Sequence, residues 1–275
     1  MSIKECGLFD ENLGSTKVAG GSSLGDKPWG QPQSDKERLD DICIEGMKVW
    51  QRTDQFCFSI DAVLLAHFVP WHNKRRYADL GTGTGIISLI ASALGAGHVT
   101  AIEQNSIMAE LAKRNVDMNQ RQSFIDVVRG DYLSLSKQNK SWQGYFDGVV
   151  INPPYFALGQ GKVSQESGPK EARHEVTMTL IDLVAAIRRL VKYRGRAWLI
   201  YKADRLVELM VALRQVGLEP KRLRMVHSRL GEPAQLVLLE ALKGGSVSLQ
   251  VEPPLYIYEG ATAYSEEVRH WYGRD

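Results

Sequence analysis

Four groups of residues in this chain have types and spacings that chemistry can use. Asp79-Leu80-Gly81-Thr82-Gly83-Thr84-Gly85 places three glycines at alternate positions between the apolar runs RRYADL and IISLIASALGAG. Glycine at such a place lets the backbone turn tightly and lets a ligand lie against bare main chain. The spacing is not the dinucleotide pattern G-x-G-x-x-G, and a purely structural turn would look the same. Glu103 sharpens the pattern. It ends the next strand-like run, about twenty residues after the first glycine, where a carboxylate can take both hydroxyls of a ribose. Asp131 follows the third run, IDVVRGD, where it can accept from an exocyclic adenine amine. Each acid also has a plainer reading, Glu103 as a carboxylate beside a helix N-terminus and Asp131 as an Asx-turn residue. Jointly, three strand ends converge on one adenosine-like ligand.

The fourth group is Asn152-Pro153-Pro154-Tyr155, directly after the apolar strand FDGVVI. Proline has no N–H and holds φ near −65°, so the chain must leave the sheet there and can offer only acceptors. The Pro153 carbonyl and the Asn152 side-chain oxygen then make two acceptors close together, a match for a planar NH₂ with two hydrogens to donate. Tyr155 can stack on the plane that carries such an amine. A base in a nucleic acid has to be unstacked or already exposed to reach it. The competing reading is a strand broken before a surface loop, with Tyr155 in the core.

Strands and helices in alternation are needed to hold these groups. Lys48-Val49-Trp50-Gln51 reads as a short strand, and Ser59 as the cap of the helix SIDAVLLAHFV. The pattern continues with strand RRYADL, helix IISLIASALGAG, strand HVTAIEQ, helix SIMAELAKRNVDMNQ, strand IDVVRGD and strand FDGVVI. A polar loop runs from about Ala157 to Glu171. Beyond it come helix LIDLVAAIRRLVKY, strand RAWLIYK, helix DRLVELMVALRQVG and two strands, KRLRMVHSR and QLVLLEALKG. The last two have no helix between them, which predicts an antiparallel hairpin at the sheet edge. The alternation predicts an α/β fold with a parallel sheet covered by helices.

The 275 residues are 44% hydrophobic, enough for a sizeable core, and 34 Lys+Arg against 32 Asp+Glu leave a net charge of only +2. Any nucleic-acid surface must therefore come from local clustering. The three cysteines, Cys6, Cys43 and Cys57, have neither paired spacing nor a nearby histidine pattern. They argue for a reducing compartment and against a disulfide framework or a metal site. With no apolar leader and no spanning stretch, a cytoplasmic protein is expected, away from membranes. Residues 1–40, rich in Gly, Ser, Asp and Lys, predict a disordered or loosely docked tail, and residues 41–275 one catalytic domain. No obligate protein partner is evident, and the oligomeric state is not legible.

Glycine turn, Glu103, Asp131 and NPPY together resemble the class I S-adenosylmethionine-dependent methyltransferases. The resemblance implies a Rossmann-like seven-stranded sheet with helices on both faces and an antiparallel C-terminal edge hairpin, with S-adenosylmethionine as cofactor. NPPY also marks enzymes acting on a glutamine amide in release factors and, with Phe as the aromatic, on guanine N2. Further segments narrow the choice. QRTDQFCFSIDAVLLAH from Gln51, NPPYF, ARHE at Ala172, EPKRLRMVH and LLEALKGG are together similar to the bacterial tRNA(Val) adenine-37 N6-methyltransferase family, Gram-positive-type branch, over about residues 41–273.

By position, that resemblance implies that Asp79, Gly81, Gly83 and Gly85 line the methionine part of the cofactor, Glu103 the ribose and Asp131 the adenine. Phe58 and Asp61 would help close the pocket, with Gln51 a weaker candidate. Asn152, Pro153 and Tyr155 would hold the target base, and Asn152 also borders the cofactor. The expected activity is methyl transfer to N6 of an adenine in tRNA, at adenosine 37 beside the anticodon. The alternatives are a protein glutamine N5-methyltransferase, which would need a separate helical recognition domain before the glycine turn, and a non-catalytic RNA-binding relative.

For RNA contact the candidates are Arg188, Arg189, Lys192, Arg194 and Arg196, expected together at a helix C-terminus, with Lys221, Arg222 and Arg224 beyond. The plainer reading is cations complementing a helix dipole. Arg173 and His174 could clamp the substrate or simply begin a helix. The polar loop between them and NPPY is expected to order over the RNA.

Overall fold

The computed structural model describes residues 31–55, 57–153 and 179–272. It opens with an antiparallel hairpin, β1 (Glu37–Asp41) and β2 (Lys48–Arg52), followed by α1 (Ile60–Phe68). The βα alternation is then β3 (Arg76–Leu80), α2 (Ile86–Ala93), β4 (His98–Glu103), α3 (Ser106–Met118), β5 (Ile125–Arg129), α4 (Tyr132–Gln138) and β6 (Phe146–Ile151). The chain resumes with α5 (Leu180–Leu190), β7 (Val191–Lys202), α6 (Leu206–Gln215), β8 (Leu218–His227) and β9 (Ala234–Lys243). Short strands β10 (Gln250–Val251) and β11 (Leu255–Tyr256), the two-stranded β12 (Tyr258–Glu259) and β13 (Ala263–Tyr264), and α7 (Glu266–Trp271) finish it.

The main sheet has the order β8-β9-β7-β6-β3-β4-β5, parallel from β7 to β5. β9 is antiparallel to both β7 and β8. This is the expected Rossmann-like seven-stranded sheet with its antiparallel hairpin. The edge differs in one respect, because β10 and β11 pair parallel to β8 and cover part of it.

Both faces of the strands are apolar because helices cover both. Tyr77, Val99, Ala101 and Trp198 pack toward α1 and α2, while Ala78, Leu80, Ile102 and Leu199 pack toward α5 and α6. Such two-sided burial reads in sequence as continuous apolar runs. Gly148 on β6 has a packing role. A Cβ there would lie 2.5 Å from the Trp198 ring and 2.6 Å from Tyr77, so only glycine lets those two buried rings meet across the strand. Trp198→Ala would empty that contact at a cost of about 3–5 kcal/mol.

Several expectations shift. The boundary expected at residue 40 falls inside β1, whose Glu37–Asp41 backbone pairs with β2. Ser59 holds the N-cap position of α1 without a side-chain cap bond. Helix α4 stands where no element was expected, and it supplies the crossover that parallel strands β5 and β6 require. Helix α5 starts with a capping box between Thr179 and Asp182 and stops at Leu190, three residues early, because Val191 pairs with Phe146 as β7 begins. No helix among the described residues is long and apolar enough to cross a membrane.

Candidate active site

From β3 the chain first adds β4 and β5 on one side, then returns to place β6 on the other. Between β3 and β6 the order reverses, and in open α/β sheets such a reversal leaves a crevice beyond the carboxyl ends of the strands. Leu80 pairs with Ile151, so the residues that leave the sheet next, Gly81 and Asn152, stand side by side at that crevice.

The glycine turn is held from below. Gly81 N and Thr82 N donate to the Ile102 carbonyl at 2.8 and 3.0 Å, and Gly85 N donates to Thr82 O at 2.9 Å. Gly81, Gly83 and Gly85 have φ of 69°, 59° and 84°, the left-handed region that a side chain disfavours. The space beside the turn is open, since a Cβ on Gly81 or Gly83 would meet nothing nearer than 3.9 Å.

Asp79 lies just before the turn and is 1% exposed. Its Oδ2 accepts from Thr82 Oγ1 at 2.6 Å and Ser88 Oγ at 2.7 Å, and its buried Oδ1 has no partner, like the nearby Thr84 hydroxyl. Burial outweighs the two hydroxyls and pushes the carboxyl up to about 6. Glu103 accepts from Gly83 N at 2.9 Å through Oε2 and from Asn105 N at 2.9 Å through Oε1. The carboxylate is thus fixed by two backbone amides, and each oxygen keeps a lone pair to offer.

Asp131 is where the plainer reading is met. It is the N-cap of α4, accepting from Leu133 N and Ser134 N at 3.0 Å each and from Ser134 Oγ at 2.6 Å. It is half-buried and still faces the same end of the sheet. Phe58 packs against the core and is tied to the N-terminal hairpin by Gln51, a fully buried side chain whose Oε1 accepts from Phe58 N at 2.8 Å and whose amide donates to Asp40. Asp61 lies in the first turn of α1, half-buried. Asn152 is half-buried and Pro153 buried. Tyr155, Arg173, His174 and the polar loop lie outside the described residues.

The basic run is corrected in place and in partners. Only Arg188 and Arg189 belong to the last turn of α5; Lys192, Arg194 and Arg196 are on β7. All five sit at the amino ends of the parallel strands, the end opposite the crevice, since Val191 pairs with the first residue of β6. Three are engaged internally: Arg188 Nε donates to Val216 O at 2.9 Å, Lys192 pairs with Asp147, and Arg196 pairs with Glu240. Arg222 and Arg224 are likewise tied to Glu252 and Glu267.

Sequence reasoning missed Asn115. This fully buried residue of α3 accepts from Trp50 N at 2.8 Å and donates to Trp50 O at 3.0 Å and Thr84 O at 2.9 Å, joining the N-terminal hairpin to the glycine turn. One turn on, Asn119 does the same for Lys48, with bonds of 3.0 and 2.7 Å. The signal was an amide on the apolar stripe formed by Met108, Leu111 and Met118.

Comparison with known proteins agrees with this geometry. The methyltransferase small domain family matches residues 50–200. The chain is 32% identical over 216 residues to the tRNA1(Val) (adenine(37)-N6)-methyltransferase of Shewanella sp. (strain W3-18-1), covering 77% of this chain and 88% of that one. It is 34% identical over 181 residues to the protein of the same name from Shewanella putrefaciens, covering 66% and 74%. The crystal structure of a predicted O-methyltransferase from Agrobacterium tumefaciens superimposes with a TM-score of 0.61 at 26% identity, over 78% of this chain and 96% of that chain. With its glycine turn, its fixed acids and its Asn-Pro at the strand reversal, the chain belongs to the methyltransferase small domain family and, within it, to the tRNA1(Val) (adenine(37)-N6)-methyltransferases.

Proposed function

We propose that the protein transfers a methyl group from S-adenosylmethionine to N6 of an adenine in tRNA, at adenosine 37 beside the anticodon. The observation that carries this reading is the pairing of Leu80 with Ile151, which sets the cofactor-type turn and the amine-accepting Asn152-Pro153 on neighbouring strand ends. Membership of the family supplies the base and the RNA.

The residues fit the cofactor. Asp79 Oδ1 and Thr84 Oγ1 are buried polar atoms lacking partners, the turn leaves open space above Gly81 and Gly83, and Glu103 is pre-oriented with lone pairs to spare. A charged amine is the group that best answers a desolvated carboxylate, and ribose hydroxyls the group that best answers Glu103. Asp131 holds its helix cap and keeps acceptor capacity for an adenine amine. When bound, S-adenosylmethionine supplies an electrophilic methyl on a sulfonium.

The chain's own residues act on the acceptor. An adenine amine is a poor nucleophile because its lone pair is delocalised into the ring. Asn152 Oδ1 and the Pro153 carbonyl accept both of its hydrogens, which favours the tetrahedral nitrogen of the transition state over the planar ground state. Tyr155 stacks on the base. The amine proton becomes acidic only as the new C–N bond forms, so it leaves late to solvent and no strong base is needed at the nitrogen.

The test incubates the protein with labelled S-adenosylmethionine and unmodified tRNA, then digests the RNA to nucleosides. Label is expected in N6-methyladenosine from position 37, and label in another nucleoside or in none would overturn the assignment. In Asn152→Ala, transfer is expected to fall a hundredfold or more, on the order seen for a lost transition-state hydrogen bond, while the cofactor Kd changes by less than about threefold. Unchanged turnover in that variant would sink the role given to Asn152.

A further inference from the structure

Four segments meet at the amino end of the sheet: the approach to β3 (70–76), the approach to β6 (139–147), the α5–β7 junction (188–196) and the turn after β9 (243–247). Their strands are adjacent in the order β9-β7-β6-β3, so they share a face about 15 Å wide. Within these stretches Asp147 is the one carboxylate, and Arg76 and Lys192 already hold it. Against it stand Lys74, Arg75, Arg76, Lys140, Lys192 and Arg194, all exposed. Among the described residues Lys74, Arg75 and Lys140 enter no ion pair, and Arg194 makes only a long contact, 3.5 Å, to the Gly244 carbonyl. The whole chain carries a net charge of only +2, so this face concentrates positive charge that the rest of the surface balances.

Two further features separate the face from an ordinary solvated edge. Tyr193, between Lys192 and Arg194, is 72% exposed, with its ring lying on Gly244 where a Cβ would come within 2.5 Å. Arg194 itself has φ of 62°, a conformation that residues with a Cβ avoid and that tends to persist where it serves a site. Exposed cations around an exposed ring, with little acid, suit a polyanion that offers phosphates and a stackable sugar or base.

We propose that this face is a second RNA-binding surface, one that grips the phosphate backbone of the tRNA away from the base being modified. The proposal rests on the reading of the chain as a tRNA methyltransferase and adds where the RNA body is held. β3 has five residues, so the face lies only about 17 Å from the glycine turn, a separation that a single tRNA spans. Arg188 and Arg196 serve the fold through Val216 and Glu240 and are not part of the grip.

The test combines Lys74→Glu, Arg75→Glu and Arg194→Glu and measures binding of unmodified tRNA across a salt series, with methylation of the same tRNA and of a short anticodon stem-loop. Expected are a tenfold or greater rise in the Kd and KM for tRNA, kcat within about twofold, and a log–log salt slope shallower by about 2 to 3. Transfer to the stem-loop and affinity for S-adenosylmethionine should be unchanged, which also shows that the variant is folded. Lys113→Glu, on the outer side of α3, is the control and should leave the slope within about one charge of the parent. Equal loss on tRNA and stem-loop, or no loss on either, overturns the second surface while leaving the methyltransferase reading intact. A parent protein that does not bind tRNA overturns both.

Discussion

Asp79 keeps one oxygen busy with Thr82 and Ser88 and leaves the other buried and bare. Its ionised form is costly until a cationic group arrives, which is why burial moves the carboxyl up to about 6. If that bare oxygen accepts the charged amine of S-adenosylmethionine, binding requires the ionised acid. The cofactor Kd should then rise about tenfold for each pH unit below 6 and level off above it, and Asp79→Asn should bind weakly with that dependence gone. Titration calorimetry from pH 4.5 to 7.5 checks this, and a parent Kd flat across the range contradicts it. At this scale the sequence was informative wherever a residue acts through its type and its place next to a turn. Asp79, the three glycines and Glu103 were legible because strand-turn-helix geometry is local. Thr82 and Ser88 as partners of Asp79 were not, since many hydroxyls stand near the turn and only the rotamers choose among them.

Among elements, the N-terminal hairpin meets the catalytic sheet through α3 rather than through another strand. Asn115 and Asn119 satisfy both the N–H and the C=O of Trp50 and of Lys48, doing with two amides what a neighbouring strand would do with its backbone. Asn115→Ala removes three buried hydrogen bonds, to Trp50 N, Trp50 O and Thr84 O, a loss of about 2–4 kcal/mol. Urea denaturation should read that loss together with a weaker cofactor Kd, because the same amide steadies the glycine turn. A loss below about 0.5 kcal/mol would show that water replaces the amide without cost. The misplaced basic run belongs to this scale too. Helix α5 must run back to the amino end of the sheet before β7 can start parallel to β6, so Arg188 to Arg196 could only arrive opposite the crevice. That follows from topology, and residue-by-residue reading had passed over it.

For the molecule as a whole, buried Asp79 and half-buried His67 pull stability in opposite directions with pH. Asp79 titrates higher in the fold than its ordinary value near 4, so its contribution is present at low pH and is lost as pH rises through about 6. His67, stacked on Trp271 at 4.9 Å, is pushed down to about 4 by burial and by His270. Its contribution is full above its ordinary value of about 6.5 and is lost as pH falls through about 4. By linkage the two are of similar size, on the order of 3 kcal/mol each, and between pH 4 and 6.5 they offset. Relative to the parent, His67→Phe should therefore lose stability as pH rises across that window, and Asp79→Asn should gain it. Parallel stability–pH curves for all three proteins would refute the offset. The layer that carries Trp271, from β10 to α7, was invisible to sequence reading, since two-residue strands and a six-residue helix have too few periods to register.

The order of the last strands constrains how the sheet can be assembled during synthesis. β8 is made before β9 yet sits outside it, so β8 is joined to the sheet only through β9, whose pairing with it starts at Ala234 and ends at Lys243. Until β9 is made, β7, with twelve residues the longest strand among the described residues and apolar over most of its length, presents an open edge. β9 is the arm that closes this edge, with β8 then lying on its far side. A chain stalled or cleaved between β8 and β9 would expose the one strand best suited to aggregate with its like.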